Sequence, residues 1–558
     1  MLTTVIGIVA YGLWTTRRHH SGSDFIRGGN DLKWGTIGLS VMATQASAVT
    51  FLSTPGQGYE QGMAFVQNYL GLPIALILVS AIFIPIFFRL KVVTAYEYLG
   101  QRFDQKTRLL GAGLFLLQRG LSAGITIYAP AIIVASILNW PLAPTIILTG
   151  FFVILYTVTG GTRTVSLTQK YQMLTILAGM TIAFAYVVKG LPDFVSFDDA
   201  LYLAGMNDRL QTINFSVDPG ERYTIWTGLI GGTFLALSYF GTDQSQVQRY
   251  LAANNTTSSR IGLMFNAVLK IPMQFGILLL GVLLFVFYLF QQPPITFNQG
   301  AVTQVPSEIR GPIEQRYTEA FDARQSVLRS AIEQRSAGQE IPATTKAEIA
   351  RLGNQIAEEK SAFKAALKVA DPDAAEQDAD YVFLSFVLDN LPSGLVGLLI
   401  AVIFLAAMSS TASELNALAS TTMVDVYKLL IHRDGSEGHY VWASRIFTLG
   451  WGIVAVGFAM TLSLFENLIE AINIIGSLFY GTILGLFLIA FFLKQVKGHA
   501  AFIGGVCAEA IVLGLYFWPL EISYLWFNLI GCALAMTIAL LVQLTFGSRQ
   551  PQPILQEN

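Results

Sequence analysis

Long apolar stretches recur along almost the whole of this 558-residue sequence. A membrane-spanning helix needs about 20 apolar residues, and lipid tolerates only structures that satisfy their own backbone hydrogen bonds. Hydrophobic residues make up 53% of the chain and charged residues 13%, against roughly 25% charged in soluble domains. The sequence therefore predicts an all-α polytopic membrane protein. About thirteen segments meet the length criterion, near residues 2–16, 35–58, 63–88, 108–138, 140–158, 165–189, 223–243, 261–290, 380–425, 439–463, 465–493, 498–517 and 520–545.

The remaining composition argues against several classes of function. The net charge is -2 and no segment forms a basic domain, so we do not expect nucleic acid as a partner. Cys507 and Cys532 both lie in apolar stretches and predict no disulfide framework. The five histidines lack the spacings of a zinc site, and no nucleophile is paired with a base. We therefore expect neither a cofactor nor an enzyme.

Lysine and arginine in the short loops predict the orientation of the chain. These residues cluster on one side of the thirteen-span arrangement, whereas the opposite turns around 59–62, 464 and 518–521 carry none. The positive-inside rule then places the N terminus outside and the C terminus in the cytoplasm of a cell inner (plasma) membrane. The first span, 2–16, is short, and a cleaved signal peptide is the alternative. That alternative is weakened because the segment has no basic start and no small-residue cleavage site.

One polar segment, 296–380, interrupts the apolar pattern. It contains two stretches rich in helix formers, SEIRGPIEQRYTEAFDARQSVLRSAIEQR and TTKAEIARLGNQIAEEKSAFKAALK, separated by SAGQEIPA. This pattern predicts an exposed helical hairpin on the outer face. Two roles remain open. The hairpin is either a cap that binds a partner or covers a gate, or an insertion that a surface loop tolerates at little entropic cost.

The ninth predicted span carries polar residues inside an otherwise apolar helix, FLAAMSSTASELNALASTTMVDVYK. Ala406, Ser409 and Ser410 are spaced i, i+3 and i+4, which places one carbonyl and two hydroxyls on the same helical face. Oxygen ligands of this kind suit a small hard cation. The alternative is that small residues simply allow close helix packing.

The second predicted span has a similar interruption. In MATQASAVTF, Gln45, Ser47 and Thr50 stand among apolar residues, and neighbouring β-branched residues weaken the helix. A break at this point would free backbone carbonyls, which membrane proteins tolerate only around a cavity or inside protein. The sequence therefore predicts a discontinuous helix beside a site for a small solute.

Five stretches in order along the chain carry a family resemblance. They are SVMATQASAVTFLSTPGQGY in the second span, TAYEYLGQRF after the third, GGTRTVSLTQKYQ opening the sixth, DQSQVQRYLAA after the seventh and AAMSSTASELNALASTTMVDVYK in the ninth. Together they resemble the motifs of the sodium/solute symporter family. SAVTFL with AYEYL is more similar to the branch that holds sialic acid, monocarboxylate, iodide and multivitamin carriers than to the hexose carriers.

The resemblance implies a LeuT-like fold, with two inverted repeats of five helices and the substrate at the midplane between them. The second to sixth spans would form the first repeat and the seventh to eleventh spans the second. The implied organisation is a first helix and cytoplasmic linker in 1–34, the first repeat in 35–190, an outer loop in 191–222, the second repeat in 223–493 interrupted by 296–380, and two further helices with a short tail in 494–558.

The resemblance also implies which residues contact sodium and solute. The implied sodium ligands are the carbonyls of Ala43, Ala46 and Ala406 and the hydroxyls of Ser409 and Ser410. The implied solute contacts are Gln45, Ser47, Thr50, Phe65, Tyr69, Tyr239, Phe240, Lys270 and Asn473.

Some of these residues have simpler explanations. Phe65 and Tyr69 would also suit an interfacial aromatic belt. Lys270 lies in NAVLKIPMQF, where an ammonium is costly unless it is paired or wet. Its match to a lysine of the hexose carriers implies solute contact, and snorkelling toward the cytoplasm is the alternative.

Some residues depart from the family pattern, and these departures limit the expected number of sodium ions and the expected class of solute. Gln169 stands where many members carry an aspartate associated with a second sodium site, so we expect one sodium per solute. Ser122 stands where sialic acid carriers have an arginine, with Arg119 one turn earlier, which argues against sialic acid. Ala236 and Tyr69 replace polar residues of the hexose site. Glu414 is an intramembrane acid and a candidate for proton coupling.

The function implied is sodium-coupled import of a small polar organic solute, such as a sugar, a sugar acid or an organic acid, by alternating access. The partners expected are therefore sodium, the solute and the lipid bilayer. A proton-coupled or uncoupled carrier of the same fold and a transporter-like sensor remain as alternatives.

Overall fold

The computed structural model describes residues 32–138, 140–371, 378–462, 468–518 and 521–546, without the side chains of 136–137 and 159–168. Within these ranges the chain forms helices and no strand, which confirms the all-α prediction. Nine helices in the described part are long and apolar enough to cross a membrane by length and composition. The predicted first span, 2–16, lies outside the described residues, and the count of thirteen spans stays a prediction.

The first half of the chain forms two long helices and several shorter ones. A 3₁₀ stretch, Gly62–Tyr69, precedes α3, and a π-helical turn, Val79–Phe83, joins α3 to α4 as one span. The helices are α1 (Trp34–Gln45), α2 (Ala48–Gln61), α3 (Leu72–Leu78), α4 (Ile84–Leu90), α5 (Ala95–Arg102), α6 (Gln105–Leu138), α7 (Leu142–Lys189) and α8 (Phe197–Met206).

The second half adds the hairpin and the remaining membrane helices. A π-helical turn, Thr227–Gly231, precedes α9, and another, Thr422–Tyr427, joins α16 to α17. The helices are α9 (Gly232–Gly241), α10 (Gln244–Leu251), α11 (Thr256–Phe290), α12 (Gln299–Val302), α13 (Ser307–Ser336), α14 (Ala343–Ala370), α15 (Ala379–Asn390), α16 (Ser393–Thr421), α17 (Lys428–Leu430), α18 (Glu437–Ala459), α19 (Leu468–Phe492), α20 (Gly498–Phe517) and α21 (Leu525–Phe546).

The second span is broken between α1 and α2, as the sequence predicted. Ala46 lies in the break with φ -81° and ψ 66°. The Thr50 hydroxyl donates to the Gln45 carbonyl at 3.2 Å, which replaces one bond that the break removes. Among the described residues, no backbone N–H donates to the carbonyl of Ala43 or of Ala46. The break therefore leaves these two carbonyl oxygens without a backbone donor inside the helix bundle.

A second break separates α9 from α10, and the sequence analysis did not predict it. Asp243 caps α10 by accepting a hydrogen bond from the Ser245 amide at 2.9 Å. The Thr242 carbonyl, exposed by the break, accepts from the Tyr96 hydroxyl at 2.8 Å. Inverted repeats place such breaks at corresponding positions. The local signal was GTDQ, in which an aspartate suited to an N-cap follows a glycine and a threonine.

The prediction of one helix over 380–425 is wrong. The structure has α15 and α16 there, separated by Pro392 and by Leu391 in an extended conformation (φ -102°, ψ 149°). Proline lacks an N–H and disfavours the helical conformation in the residue before it. The chain therefore turns at this point, and the helix that carries Ser409 and Ser410 begins only at Ser393.

The predicted spans at 140–158 and 165–189 lie in one continuous helix, since the backbone of α7 is helical from Leu142 to Lys189. Within α7, the apolar segments Leu142–Val158 and Gln169–Lys189 correspond to the two predicted spans. The glycines and threonines in TVTGGTRTVS do not interrupt this helix. Helix preferences are worth only about 1 kcal/mol per residue, even for glycine, and tertiary context overrides them.

α2 packs backbone to backbone against α11 and α15. A Cβ atom built on Gly56 would lie 2.0 Å from the Ala379 carbonyl oxygen of α15. One built on Gly281 of α11 would lie 2.0 Å from the Pro55 carbonyl oxygen of α2. No side chain fits at either glycine, and small residues of this kind allow membrane helices to approach closely. These three helices thus form one tightly packed unit.

The predicted helical hairpin is confirmed as α13 and α14, which pack side by side. Apolar side chains from both helices form a core of their own, including Tyr317, Phe321 and Phe363. Its tip is docked on α8, where Arg335 donates to Asp198 at 2.6 Å and to Asp199 at 2.9 Å. The hairpin is therefore a packed unit held against the rest of the helix bundle through α8.

The two ends of the helix bundle differ in charge. We call the end that carries α5 and α17 the basic side and the opposite end, which carries α8 and the hairpin, the hairpin side. On the basic side, Arg108 donates to the Asp425 carboxylate at 2.8 Å, and Thr94 donates to the same oxygen at 2.9 Å. In or near the loops on that side lie Arg89, Lys91, Arg102, Lys106, Arg108, Arg249, Arg260, Lys428, Arg433, Arg445, Lys494 and Lys497.

Candidate functional site

A cavity of about 130 Å³ lies where the two broken spans meet the long helices. Its walls come from α1, α2, α3, α6, α9, α11, α16 and α19 and from the 3₁₀ stretch before α3. The lining mixes apolar and polar groups, as expected of a small-molecule site. The polar and charged lining residues are Thr44, Gln45, Ser47, Thr50, Asn68, Tyr69, Gln118, Arg119, Thr126, Tyr239, Lys270, Glu414, Asn473 and Tyr480.

Eight of the nine residues that the sequence assigned to solute contact line this cavity; the ninth, Phe65, does not. Its ring packs edge to face on Tyr69 at 5.8 Å and on Tyr223 at 5.1 Å between centroids. It therefore lies behind the wall, where it positions Tyr69. The eight are Gln45, Ser47, Thr50, Tyr69, Tyr239, Phe240, Lys270 and Asn473.

Lys270 is the most unusual of these residues. Its side chain is buried near the middle of α11, with Nζ 5.6 Å from the centroid of the Tyr69 ring. No carboxylate pairs with it in the described part of the chain. A snorkelling lysine would extend to the membrane surface, whereas this one lines the cavity. Among the described residues, the Lys270 amine therefore lines the cavity wall without a carboxylate partner.

Two lining amides that the sequence analysis missed have oxygens without partners. The Asn68 Oδ1 and Gln118 Oε1 atoms are buried and accept no hydrogen bond from any described residue. The Gln118 amide nitrogen does have a partner, since it donates to the Ser122 hydroxyl at 3.0 Å. Buried acceptors without donors are costly. A solute with hydroxyl or amine donors would satisfy both oxygens.

The candidate sodium ligands lie where α1 ends beside α16. Ala43, Ala46, Ala406, Ser409 and Ser410 are all buried. The Ser409 hydroxyl lies 3.3 Å from the Ala43 carbonyl oxygen, and the Ser410 hydroxyl donates to the Ala406 carbonyl at 3.0 Å. The described residues contain no cluster of histidine, cysteine and acidic side chains. The donor set is thus neutral oxygen, which suits a hard monovalent cation.

Gln169 occupies the space beside this candidate site. Its amide nitrogen donates to the Thr44 hydroxyl at 3.2 Å, the Ser413 hydroxyl at 2.9 Å and the Ser409 carbonyl at 3.3 Å. Its amide oxygen accepts from Ser40 at 2.5 Å. An uncharged N–H donor is therefore directed at three oxygens beside the candidate sodium ligands.

The end of the cavity nearer the basic side is closed by an ionic network. Arg119 donates to Asp243 and, at 3.0 Å, to Glu414. The Tyr480 hydroxyl lies 2.6 Å from Arg119 and donates to Asp243 at 2.9 Å. Glu414 also accepts from the Thr126 hydroxyl at 2.9 Å. Arg119 and Glu414 stood out separately in the sequence, whereas Asp243 and Tyr480 did not.

A second ion pair lies at the hairpin-side end of the cavity. Arg222, before α9, pairs with Glu470 at the start of α19. Asn473, one turn further along α19, lines the cavity and donates to the Ile469 carbonyl at 2.8 Å. Charged groups thus bracket the cavity at both ends.

Known proteins are similar to this chain in sequence and in fold. The chain is 28% identical to sodium-coupled monocarboxylate transporter 1 of Xenopus laevis over 92% of its own length and 70% of that transporter. It is 33% identical to the sodium/iodide cotransporter of Homo sapiens over 52% of this chain and 44% of that one. A solved Na⁺-coupled sialic acid symporter has the same fold, with a TM-score of 0.73, 22% identity and coverage of 97% of this chain and 96% of that one. The profile of the sodium:solute symporter family matches residues 25–305 and 360–508, and this chain belongs to that family.

Proposed function

We propose that the protein imports a small organic anion together with one sodium ion, by alternating access across the plasma membrane. Sodium-coupled solute transport is the activity of its family. The observation that favours an anion is the ammonium group of Lys270, which lines the cavity without a carboxylate partner in the described structure. A carboxylate on the solute would supply the missing counter-ion through a charge-assisted hydrogen bond.

The names of two relatives point in the same direction. Monocarboxylates and iodide are both anions, and the relatives named for them align with 92% and 52% of this chain. The free oxygens of Asn68 and Gln118 add a requirement for donors on the solute. A carboxylate that also carries hydroxyl or amine groups therefore fits the lining better than a simple fatty acid.

One sodium per solute is consistent with the charges around the cavity. When all four groups are ionised, Lys270 and Arg119 carry two positive charges, and Glu414 and Asp243 carry two negative ones. The ionised walls are then neutral, and a sodium ion with a monovalent anion adds no net charge. We therefore expect electroneutral transport. The N terminus is proposed to lie outside and the C terminus in the cytoplasm, which puts the basic side of the bundle inside the cell.

The test is uptake into proteoliposomes under an imposed sodium gradient, using hydroxycarboxylates and their amides as matched solutes. We expect the acids, and not the amides, to be taken up and to raise the melting temperature only with sodium present. Lys270→Gln should raise the half-saturating acid concentration at least tenfold, since a hydrogen bond to a charged group contributes about 1.5–3 kcal/mol. Lys189→Gln, at the exposed end of α7, is the matched control. An unchanged acid preference in Lys270→Gln would contradict the anion assignment.

A proton-coupled carrier is the second candidate, because Glu414 places a carboxyl group in the cavity wall. Ionisable groups inside membrane bundles often belong to proton pathways. Uptake experiments in the same vesicles distinguish sodium coupling from proton coupling. Uptake driven by a pH gradient in sodium-free buffer, and lost in Glu414→Gln, would favour the proton.

A further inference from the structure

Three basic side chains lie around the hairpin-side end of α2 without an acidic partner. Arg209 comes from the loop after α8, Arg324 from α13 and Lys360 from α14. None of them forms a salt bridge or a side-chain hydrogen bond with another described residue. The Nε atoms of Arg209 and Arg324 are buried, so each is a donor without an acceptor in the described part of the chain. Buried donors of this kind are costly, which points to a ligand that accepts hydrogen bonds.

Aromatic rings fix the positions of two of these cations. The Tyr59 ring, on the last turn of α2, packs edge to face on Phe285 at 5.9 Å and on Phe297 at 5.6 Å between centroids. The Arg209 guanidinium lies 4.8 Å from the Phe285 centroid, and the Lys360 Nζ atom lies 5.5 Å from the Phe297 centroid. The two cations therefore lie on the two rings that hold Tyr59.

Arg324 joins this group from the hairpin. Its guanidinium lies 5.4 Å from the centroid of the Phe321 ring, in the hairpin core that also contains Tyr317. The Lys360 Nζ atom lies 6.0 Å from the Tyr317 centroid. Arg324 is also close enough to Tyr317 and Tyr59 for its charge to act on both hydroxyl groups. The three cations are therefore gathered at the junction between α2 and the hairpin.

Burial acts on all three charges. It lowers the pKa of Arg209, of Arg324 and of Lys360 below the ordinary values of these side chains, and neighbouring groups offset only part of this effect. A base whose pKa falls in this way has lost water without gaining an equivalent partner. An anion bound among the three side chains would supply that partner and would raise all three pKa values.

The carboxylates near these cations do not neutralise them. Asp378 and Glu60 act on Lys360 without forming a salt bridge with it. Asp208 acts on Arg209 from an exposed position, where water screens its charge. Bases outnumber acids among the described residues of this junction. The bases are Arg209, Arg324, Lys360 and Lys364, and the acids are Asp208, Glu60 and Asp378.

We propose that the junction between α2 and the hairpin binds a small oxyanion through Arg209, Arg324 and Lys360. Planar guanidinium groups bind carboxylate, sulfate and phosphate oxygens through paired hydrogen bonds, and an ammonium group adds a point charge. Since Arg324 and Lys360 belong to the hairpin, the bound anion links the hairpin to the end of α2. This inference does not depend on the proposed transport activity, because it concerns the hairpin-side junction and not the cavity.

The test is the melting temperature of the purified full-length protein as chloride is replaced by sulfate or by acetate at constant sodium concentration. Binding to the folded state should raise the melting temperature in a saturable way at low millimolar oxyanion. A response to sulfate alone identifies an inorganic oxyanion as the ligand, and a response to acetate identifies a carboxylate. Sulfate also stabilises proteins through exclusion from their surface, so charge variants are needed to isolate binding.

Arg324→Gln and Lys360→Gln remove one charge each from the proposed site. Each should raise the half-saturating oxyanion concentration by about tenfold, because hydrogen bonds to charged groups are the strong ones. Arg324→Lys keeps the charge and should restore part of the affinity. Arg351→Gln is the matched control, since the Arg351 guanidinium already pairs with Glu348 on the exposed face of α14, and it should leave the response unchanged.

Three outcomes would overturn the proposal. One is the absence of a saturable oxyanion response in the unchanged protein. Another is an equal response in the unchanged protein and in folded Arg324→Gln and Lys360→Gln proteins, which would mean that sulfate acts through exclusion alone. The third is an equal loss in the Arg351→Gln control, which would assign the response to net charge. If Arg324→Gln does not fold, Arg209→Gln takes its place with the same expected tenfold loss, and unchanged affinity in that variant would equally overturn the site.

Discussion

The side-chain amide nitrogen of Gln169 lies 3.3 Å from the backbone carbonyl oxygen of Ser409, and it donates to the Ser413 hydroxyl at 2.9 Å. A neutral donor on α7 therefore engages oxygens of the helix that carries the candidate sodium ligands. A second monovalent cation placed about 4 Å from the first would be repelled by roughly 4 kcal/mol in a partly buried site. Gln169 offers no negative charge to offset that repulsion.

This contact leads to a prediction about stoichiometry. Isotope flux should give one sodium per solute in the unchanged protein. Gln169→Asp should raise the ratio toward two, because the carboxylate supplies a ligand and a charge at the place where the amide now donates. Gln172→Asp, in the same buried part of α7, is the control and should leave the ratio at one. A ratio of two before any substitution would show that another acid serves a second site.

Removing the two serine hydroxyls tests the sodium site itself. Ser409→Ala with Ser410→Ala deletes two of the five proposed oxygen ligands while improving helix propensity. The half-saturating sodium concentration should rise at least tenfold, or about 1.4 kcal/mol, with little change in the melting temperature without sodium. Ser420→Ala, on the same helix, is the matched control. Equal sodium dependence in the double variant and the control would exclude these ligands.

The hairpin is predicted to be dispensable for uptake. Replacing residues 307–370 with a short Gly/Ser linker changes the loop-closure free energy by only about 0.6 kcal/mol per doubling of length. Both segments that flank the hairpin remain tied together by the Thr296 hydroxyl, which donates to Asp378 at 3.0 Å. Sodium-driven uptake by the shortened protein should therefore stay close to that of the full chain. A well-folded deletion that binds sodium and transports nothing would make the hairpin part of the gate.

Docking of the hairpin tip should weaken in acid. Partial burial raises the pKa of Asp199, but hydrogen bonds from Ser196 and Arg335 outweigh it and lower the pKa below its ordinary value. A lowered folded-state pKa stabilises the fold above the unfolded value of about 3.9, and this contribution is lost as the pH falls through the folded pKa. Asp199→Asn should therefore destabilise by about 0.5 kcal/mol at pH 7, since solvent screens this pair.

Thermal unfolding at a series of pH values measures this effect. The difference between the unchanged protein and Asp199→Asn should shrink as the pH falls below about 4. Asp322→Asn, at an exposed position on α13, should show no such difference. A difference in melting temperature between the unchanged protein and Asp199→Asn that persists at low pH would mean that Asp199 acts through packing and not through its charge.

The parts of the fold that could be predicted were those with strong local signals. Apolar runs of membrane length located most helices, and the polar cluster at Gln45, Ser47 and Thr50 located the first break. The turn at Pro392 had a local signal too, but the long apolar runs on both sides of it suggested one helix over 380–425. A single proline is a weak signal against some twenty apolar neighbours, so this boundary was missed. The predicted span 223–243 does end at Asp243, but the short helix that Asp243 caps was missed because QSQVQRYL has no apolar run.

The site was predictable only where a motif marked it. Lys270 and Tyr239 were assigned by resemblance, and the structure places both at the cavity. Asp243 and Tyr480 were missed because their importance comes from Arg119, which reaches them across 124 and 361 residues of sequence. Asn68 and Gln118 were missed for a different reason, since an unpaired oxygen is a property of its surroundings. The spacing of residues along one helix indicates neither contacts with residues far away in the sequence nor the absence of such contacts.

The close fit of α2 against α11 and α15 has a consequence for the insertion. The hairpin leaves the membrane body after Phe290, at the end of α11, and returns just before Ala379, at the start of α15. Its two roots are therefore the same two helices whose backbones touch the discontinuous span at Gly281 and Gly56. A probe or antibody bound to the hairpin would be connected to α2 through α11 and α15. Such a probe, placed outside the membrane, would therefore follow or restrain the helix that lines the solute site.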